Sequence, residues 1–223
     1  MSPRVVDPDR VAEVEGNIVE AARDLLAEGG PTSLSMRKVA ERVGLSATAL
    51  YHYFDNKEAL VRQVVGQAFL RFGEYLERAA ATHPRGSLER VHALGEAYLQ
   101  FATENESYFR VLFSIQRDDP RGLEDIPEGG GFDLLREAVE AAIESGAMRP
   151  IQPDLVALYL WSVAHGVMTI TIACRIEDCA RSKAEGIPST PLELFKAFRT
   201  LVQDGIKAPA QRLALAGKGE EVA

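Results

Sequence analysis

Hydrophobic positions recur at helical spacing along most of the chain, beginning with two short helices joined by a tight turn. The first has four apolar residues on one face, Met36, Val39, Ala40 and Val43. Gly44 follows them, where a left-handed backbone ends a helix most easily. Ser46 is a good N-cap for the second helix, and Leu50 and Phe54, four residues apart, are expected to face inward.

Longer helical segments are predicted for the rest of the chain. Asp55 and Glu58 resemble a capping box, which would begin a helix running from Lys57 to about Ala80. A second capping box, with Pro191 at the first helical position, begins the last helix. Further helices are predicted at 88–101, 107–114, 132–145 and from Pro153 onward, with a loop at 117–131, a loop or helical extension at 176–189, and a flexible tail at 207–223. With no alternating strand pattern, the fold class is all-α.

Small and polar side chains remain on the outward face of the second short helix. Ala47 and Thr48 would let this helix approach base edges closely, and Thr48 offers both a hydroxyl and a methyl group. Tyr51, with Tyr53 as a further candidate, could reach phosphates, and so could Lys57 at the start of the next helix. Two short helices joined by glycine also occur in helical proteins that never bind DNA, so spacing alone leaves both interpretations open.

The net charge changes this picture only locally. The chain carries −8 with a pI of about 5.1, which is unusual for a protein that binds nucleic acid. The segment 35–62 has three acidic residues and carries +2, so the remainder carries −10. Its five basic residues are Arg37, Lys38, Arg42, Lys57 and Arg62. Because binding depends on the local field, the asymmetry directs this segment toward DNA.

Several classes of protein are excluded by composition. Two cysteines, Cys174 and Cys179, are too few for a secreted disulfide framework, and we find no zinc-ligand spacing or cofactor motif. The N-terminal segment lacks the apolar stretch of a signal peptide, so a cytoplasmic location is expected. The twenty uncharged residues 155–174 are long enough to cross a bilayer, but their polar members favour a buried core helix and no membrane association.

The run Leu50-Tyr-His-Tyr-Phe-Asp-Asn-Lys57-Glu-Ala-Leu60, together with the preceding turn and helix ends, resembles the TetR family of transcriptional regulators over about residues 11–65. The resemblance implies a three-helix DNA-binding head whose third helix reads the major groove. Carried over by position, the residues expected to contact double-stranded DNA are Arg37, Ser46, Ala47, Thr48, Tyr51, Tyr53 and Lys57.

A second string, Leu160-Trp-Ser-Val-Ala-His-Gly-Val-Met168, resembles a C-terminal subgroup of TetR regulators marked by Trp, His and Gly. The resemblance implies a cavity for a small-molecule effector, with the expected lining residues Tyr98, Phe101, Phe109, Phe113, Trp161, His165 and Met168. His165 would be its polar anchor. Alternatively, His165 is a hydrogen-bonded core residue and Gly166 permits close helix packing.

The resemblance also implies the organisation of the whole chain. A helix-turn-helix domain at 1–56 would precede a helical ligand-binding and dimerisation domain at 57–206 and the tail at 207–223. The last two major helices would pair across a two-fold axis in a homodimer, with Leu194, Phe195, Phe198, Leu201 and Val202 as interface candidates.

The function expected is a ligand-responsive repressor of a palindromic operator. One alternative is a DNA-binding assembly protein without an effector. Another is a helical enzyme with His165 as general base. Because no nucleophile–base pair, paired carboxylate motif or phosphate-binding loop accompanies this histidine, we expect neither enzymatic activity nor a cofactor.

Overall fold

The computed structural model describes residues 8–114, 131–174, 188 and 190–206, and these residues form α-helices without a β-strand. The helices are α1 (Pro8–Gly29), α2 (Met36–Arg42), α3 (Ala47–Leu50), α4 (Lys57–Ala80), α5 (Leu88–Glu104), α6 (Glu106–Ser114), α7 (Gly131–Glu144), α8 (Pro153–Cys174) and α9 (Pro191–Ile206). The all-α prediction is confirmed. The predicted segments 117–131 and 176–189 lie mostly outside the described residues, and the tail lies wholly outside them.

The chain divides into two compact units, and the division falls within α4. Among the described residues, the first unit comprises the chain up to Arg71 together with residues 104–114. The second comprises residues 72–103 and the described chain from Gly131 onward. The domain boundaries expected at 56 and 206 remain predictions.

The core of the first unit joins the two short helices to the longer ones. Ile18 of α1, Val39 of α2, Leu50 of α3 and Leu60 of α4 are fully buried in one apolar cluster. Val111 of α6 belongs to the same cluster. The short helices are therefore held by contacts with their neighbours, since helices of this length are not stable alone.

Side-chain hydrogen bonds begin both short helices, and the cap of the second is the one that the sequence predicts. The Ser35 and Ser46 hydroxyls accept the backbone N–H groups of Lys38 and Ala49 at 3.3 Å and 3.1 Å. Gly44 has a φ of +70°, which confirms the left-handed turn between α2 and α3. The pair forms a helix-turn-helix.

The predicted capping box at the start of α4 is wrong by one residue. The side-chain oxygen of Asn56 accepts the N–H of Ala59 at 2.7 Å, and Lys57 is the first helical residue. Asn56 rather than Asp55 is therefore the N-cap. Asparagine and aspartate cap equally well, so the sequence did not distinguish two adjacent candidates.

An aromatic cluster forms the core of the second unit. The Phe72 ring centroid lies 5.5 Å from that of Tyr98, 5.0 Å from Phe101 and 6.0 Å from Trp161. Gly131, the first residue of α7, packs closely against the same region, because a Cβ there would lie 2.5 Å from the Phe72 ring. A side chain at the start of α7 would therefore displace the cluster.

Only one side of α8 is buried, so the prediction of a buried core helix is wrong for the other side. The inner face consists of Val156, Ala157, Ala164, Val167 and Met168. The outer face exposes Leu155, Leu158, Tyr159 and Ile170. The segment Pro153–Ile172 is long and apolar enough to cross a membrane by length and composition alone. A helix that is apolar all round does not reveal which side the fold buries.

Candidate DNA-binding surface and ligand cavity

The outward face of α3 is accessible over its whole length. Ser46, Ala47 and Thr48 are exposed at its start, and Tyr51, just after its last residue, is 52% exposed. Regular helix ends at Leu50, but the N–H groups of Tyr53 and Phe54 continue the turn by donating to the Leu50 carbonyl. The result is a short ridge of small side chains bordered by a phenol, which suits close approach to a groove.

Unlike the other predicted DNA contacts, Lys57 and Tyr53 have side chains that make contacts within the first unit. The Lys57 Nζ donates a hydrogen bond to the Pro31 carbonyl at 2.6 Å, which ties the start of α4 to the turn after α1. Tyr53 is half-buried and packs against the apolar cluster of the first unit. Both side chains therefore stabilise the head, whether or not they also contact DNA.

Cations border the α3 ridge on α2. Arg37 is exposed, and the Lys38 Nζ donates to the Ser33 carbonyl at 3.1 Å. Arg42 forms an ion pair with Glu28 at 2.9 Å, so part of its charge is compensated within the unit. Of these three cations, Arg37 is the one for which no hydrogen bond or ion pair is found among the described residues.

A partly open cavity of about 60 Å³ lies within the second unit. Its walls are mostly apolar and come from α4, α5, α7, α8 and α9. The lining residues whose side chains carry polar atoms are His92, Tyr98, Tyr159, Trp161 and Arg199. Because one water molecule needs about 10–15 Å³, the cavity has room for roughly four to six water-sized groups, and a longer ligand would extend through its open side.

Tyr98 and His165 form a hydrogen bond beside the cavity. The Tyr98 hydroxyl lies 2.8 Å from the Nδ1 of His165. Burial raises the pKa of Tyr98 and lowers the pKa of His165, so the phenol is protonated and the imidazole is neutral. Two uncharged groups thus share this hydrogen bond, and the histidine tautomer decides which of them donates. The bond favours the interpretation of His165 as a hydrogen-bonded core residue.

Two family models match the chain. Residues 18–64 match the bacterial regulatory proteins of the tetR family, and residues 91–186 match the tetracyclin repressor-like C-terminal domain. The chain belongs to the TetR family of transcriptional regulators. The narrower Trp-His-Gly subgroup remains a prediction.

Relatives of this TetR-family protein are regulators by name. The HTH-type transcriptional repressor KstR2 of Mycolicibacterium smegmatis is 26% identical over 168 residues, which are 69% of this chain and 77% of that protein. The tetracycline repressor protein class G of Vibrio anguillarum is 34% identical over 107 residues, 48% of this chain and 44% of that protein. Their names describe DNA-binding regulators and not enzymes.

The same fold occurs in solved structures. A protein of unknown function from Rhodococcus sp. RHA1 superposes with a TM-score of 0.70 at 22% sequence identity. The superposition covers 93% of this chain and 100% of the other. At this identity the similarity establishes the fold and carries no information about the ligand.

Two of the residues predicted to line a ligand cavity do so in this TetR-family protein. Tyr98 and Trp161 are among the residues that line it. Phe101, His165 and Met168 belong to the second unit but are not lining residues. Phe109 and Phe113 belong to the first unit, where their ring centroids lie 4.8 Å apart.

The sequence interpretation missed Arg199 and placed Phe195 wrongly. Phe195 is 6% exposed, and its ring lies so close to Gly95 that a Cβ there would be 2.5 Å from Cζ. It lines the cavity and cannot be an exposed interface residue. Phe198 and Leu201 are exposed, Leu194 is half-buried, and the side chain of Val202 lies outside the described residues. The sequence signal that could have identified Arg199 as a lining residue is its spacing, because it follows Phe195 by one helical turn.

Proposed function

We propose that this TetR-family protein is a homodimeric repressor that binds a palindromic operator and leaves it when a small apolar or amphipathic ligand occupies the body. The DNA contacts, the ligand-lining residues and the predicted domain boundaries are parts of this proposal. The proteins named above as repressors support the repressor assignment by similarity. The cytoplasmic location expected from the sequence is consistent with it.

The exposed ridge of α3 is the observation on which DNA recognition rests. Its Ser46 hydroxyl holds the helix start by accepting the N–H of Ala49, so the following residues are presented on a fixed backbone. Ala47 and Thr48 leave room for base edges, and Arg37 and Tyr51 are exposed for phosphates. Small side chains alone do not specify a base sequence, so the operator must be found experimentally.

The exposed apolar faces of α8 and α9 support dimerisation. Leu155, Leu158, Tyr159 and Ile170 on α8, with Phe198 and Leu201 on α9, are apolar side chains left open to solvent. Extended apolar exposure is typical of a protein interface. Two recognition elements held about one DNA turn apart, roughly 34–36 Å, read a palindrome with greater specificity than one.

Selection of bound duplexes from a random DNA pool tests the DNA assignment. We expect enrichment of one sequence with two inverted half-sites. No enrichment at moderate salt would contradict the proposal, and enrichment of a single half-site would contradict its dimeric form.

Variants at the ridge then test individual contacts. Tyr51→Ala or Arg37→Ala should weaken operator binding about tenfold or more, since a hydrogen bond to a charged group contributes about 1.5–3 kcal/mol. Arg37→Ala should also reduce the salt dependence by about one counterion. Arg85→Ala, a change of an exposed arginine in the second unit, is the matched control and should leave affinity unchanged. Equal operator affinities for all the variants and the parent protein would show that Tyr51 and Arg37 do not contact the operator.

A thermal-shift screen with lipid-like and aromatic compounds tests the effector. We expect at least one compound that both raises the melting temperature and releases the operator. If compounds stabilise the protein but none releases DNA, the alternative of an effector-independent DNA-binding protein is favoured.

A further inference from the structure

The cavity of the second unit contains a permanent cation at its edge. Arg199 of α9 is a lining residue, although most of the wall is apolar. Its side chain is about one quarter exposed, so part of this lining residue is open to solvent. A guanidinium stays charged and offers five N–H donors, so one ion pair leaves donors for a second acceptor.

Among the described residues, the ion pairs around Arg199 leave one positive charge in excess. Its Nη1 donates to the Glu96 carboxylate at 3.0 Å, and the Lys196 Nζ lies 3.8 Å from the same carboxylate oxygen. One carboxylate thus faces two cations. A bound anion would neutralise the remaining positive charge, while Glu96 kept its ion pairs with Arg199 and Lys196.

We infer that the ligand of this cavity is an amphipathic monoanion whose carboxylate pairs with Arg199 and whose hydrocarbon part packs against Trp161 and Phe195. This inference rests on the proposed function, because it names the ligand class of the same cavity. Arg199 favours a carboxylate over an ammonium group, and planar guanidinium and carboxylate groups match geometrically. A single excess charge and a cavity of about 60 Å³ favour a small monoanion over a polyphosphate.

Trp161 is the only tryptophan of the chain and lines the cavity, so its fluorescence reports occupancy directly. Octanoate, octanol and octylammonium carry the same alkyl chain and differ in their head groups. Each is titrated below its aggregation limit, with calorimetry as a second readout. We expect octanoate to bind about tenfold or more tightly than octanol, as for a hydrogen bond to a charged group, and octylammonium to bind most weakly.

Two variants separate a carboxylate contact from a general effect of charge. Arg199→Met removes the lining cation, and Lys196→Met removes a cation that shares the Glu96 partner but does not line the cavity. We expect Arg199→Met to lower octanoate affinity about tenfold or more and to leave octanol affinity unchanged. Lys196→Met should change octanoate affinity no more than about twofold, as expected for an exposed charge. Arg199→Lys keeps the charge and should retain part of the affinity.

Three results would overturn the inference: equal affinities for octanoate and octanol, equal losses in both methionine variants, or no binding of octanoate by either readout. Circular dichroism confirms that each variant is folded. Operator binding by the ligand-free protein is measured on the same samples. If DNA binds and octanoate does not, only the ligand class fails; if octanoate binds and no duplex is bound, the proposed function fails instead.

Discussion

Gly44 occupies the turn between α2 and α3 with a φ of +70°, a conformation that costs other residues free energy. A Cβ at this position would meet no atom within 4 Å, so the constraint comes from the backbone alone. Gly66, within α4, likewise has open space around its Cβ position but no positive φ. The two glycines therefore differ in backbone conformation and not in steric crowding.

Substitution by alanine should therefore have opposite effects at these two glycines. Gly44→Ala should lower the free energy of unfolding by about 1–2 kcal/mol, the cost of a left-handed backbone. Gly66→Ala should raise it by about 0.5–1 kcal/mol, the gain for a helix interior. Urea denaturation at constant pH measures both. A loss of similar size in the two variants would show that the turn does not impose the strain.

His165 should make stability depend on pH. Because burial lowers its pKa, the unfolded chain binds a proton at His165 more readily than the folded protein does. Stability should thus fall as pH drops below about 6.5, the ordinary value for histidine. Denaturation at several pH values between about 5 and 8 gives the free energy of unfolding, which should depend less on pH in His165→Gln than in the parent protein. Parallel pH profiles would contradict a buried neutral imidazole.

Gly44 and Ser46, whose roles are local, were predicted correctly, whereas the predicted cap of α4 was displaced by one residue. Ser35, Ser46 and Gly44 act on backbone groups within a few positions of themselves, so their neighbours in sequence decide their geometry. Phe195 and Phe198 show the limit of this approach. They are three residues apart on one helix and equally apolar, yet only Phe195 is buried, because Gly95 on α5 leaves space for its ring.

At the scale of elements, α8 combines two different surfaces. Its inner face packs in the second unit, while Leu158 and other apolar side chains of its outer face remain exposed. A Cβ at Gly166 would meet no atom within 4 Å, so the close packing expected around this glycine is not found among the described residues. Uniform apolarity predicted the existence of α8 and its start at Pro153, but not the side that packs.

Charged substitutions on these outer faces should produce monomers. Leu158→Asp and Phe198→Asp each place a carboxylate where a second subunit would exclude water, so association should weaken. Light scattering should give a mass near 24.4 kDa for the variants and about twice that for the parent protein. Leu70→Asp is the control, because Leu70 is 73% exposed on α4 of the first unit. A parent protein that is monomeric, or variants that stay dimeric, would refute the proposed interface.

At the scale of the whole molecule, the ligand and the operator should be coupled reciprocally. A ligand that binds one conformational state better than the other shifts the population, and linkage requires equal effects in both directions. If octanoate weakens operator binding by a factor of about 5–150, the operator must weaken octanoate binding by the same factor. Paired titrations by fluorescence anisotropy and calorimetry measure the two factors, and a factor near one in both directions would contradict coupling between ligand and operator.

The sequence predicted the helix-turn-helix more completely than the lining of the cavity. The helix-turn-helix depends on caps and a turn that are contiguous in the chain, so it was recognised directly. The cavity depends on side chains from five helices, and of the residues predicted to line a ligand cavity only Tyr98 and Trp161 lie on it. Arg199 was missed because a cation in a helix normally faces solvent, and its position beside the cavity depends on the packing of α9.

One helix serves both the interior and the exterior of the second unit. α9 directs Phe195 and Arg199 to the cavity and exposes Phe198 and Leu201 within the same two turns. Changes on α9 that broaden the range of compounds accepted would also reshape a surface that could hold a second subunit. New chemical specificity could therefore arise with less interference through α5 and α7, which line the cavity from other sides.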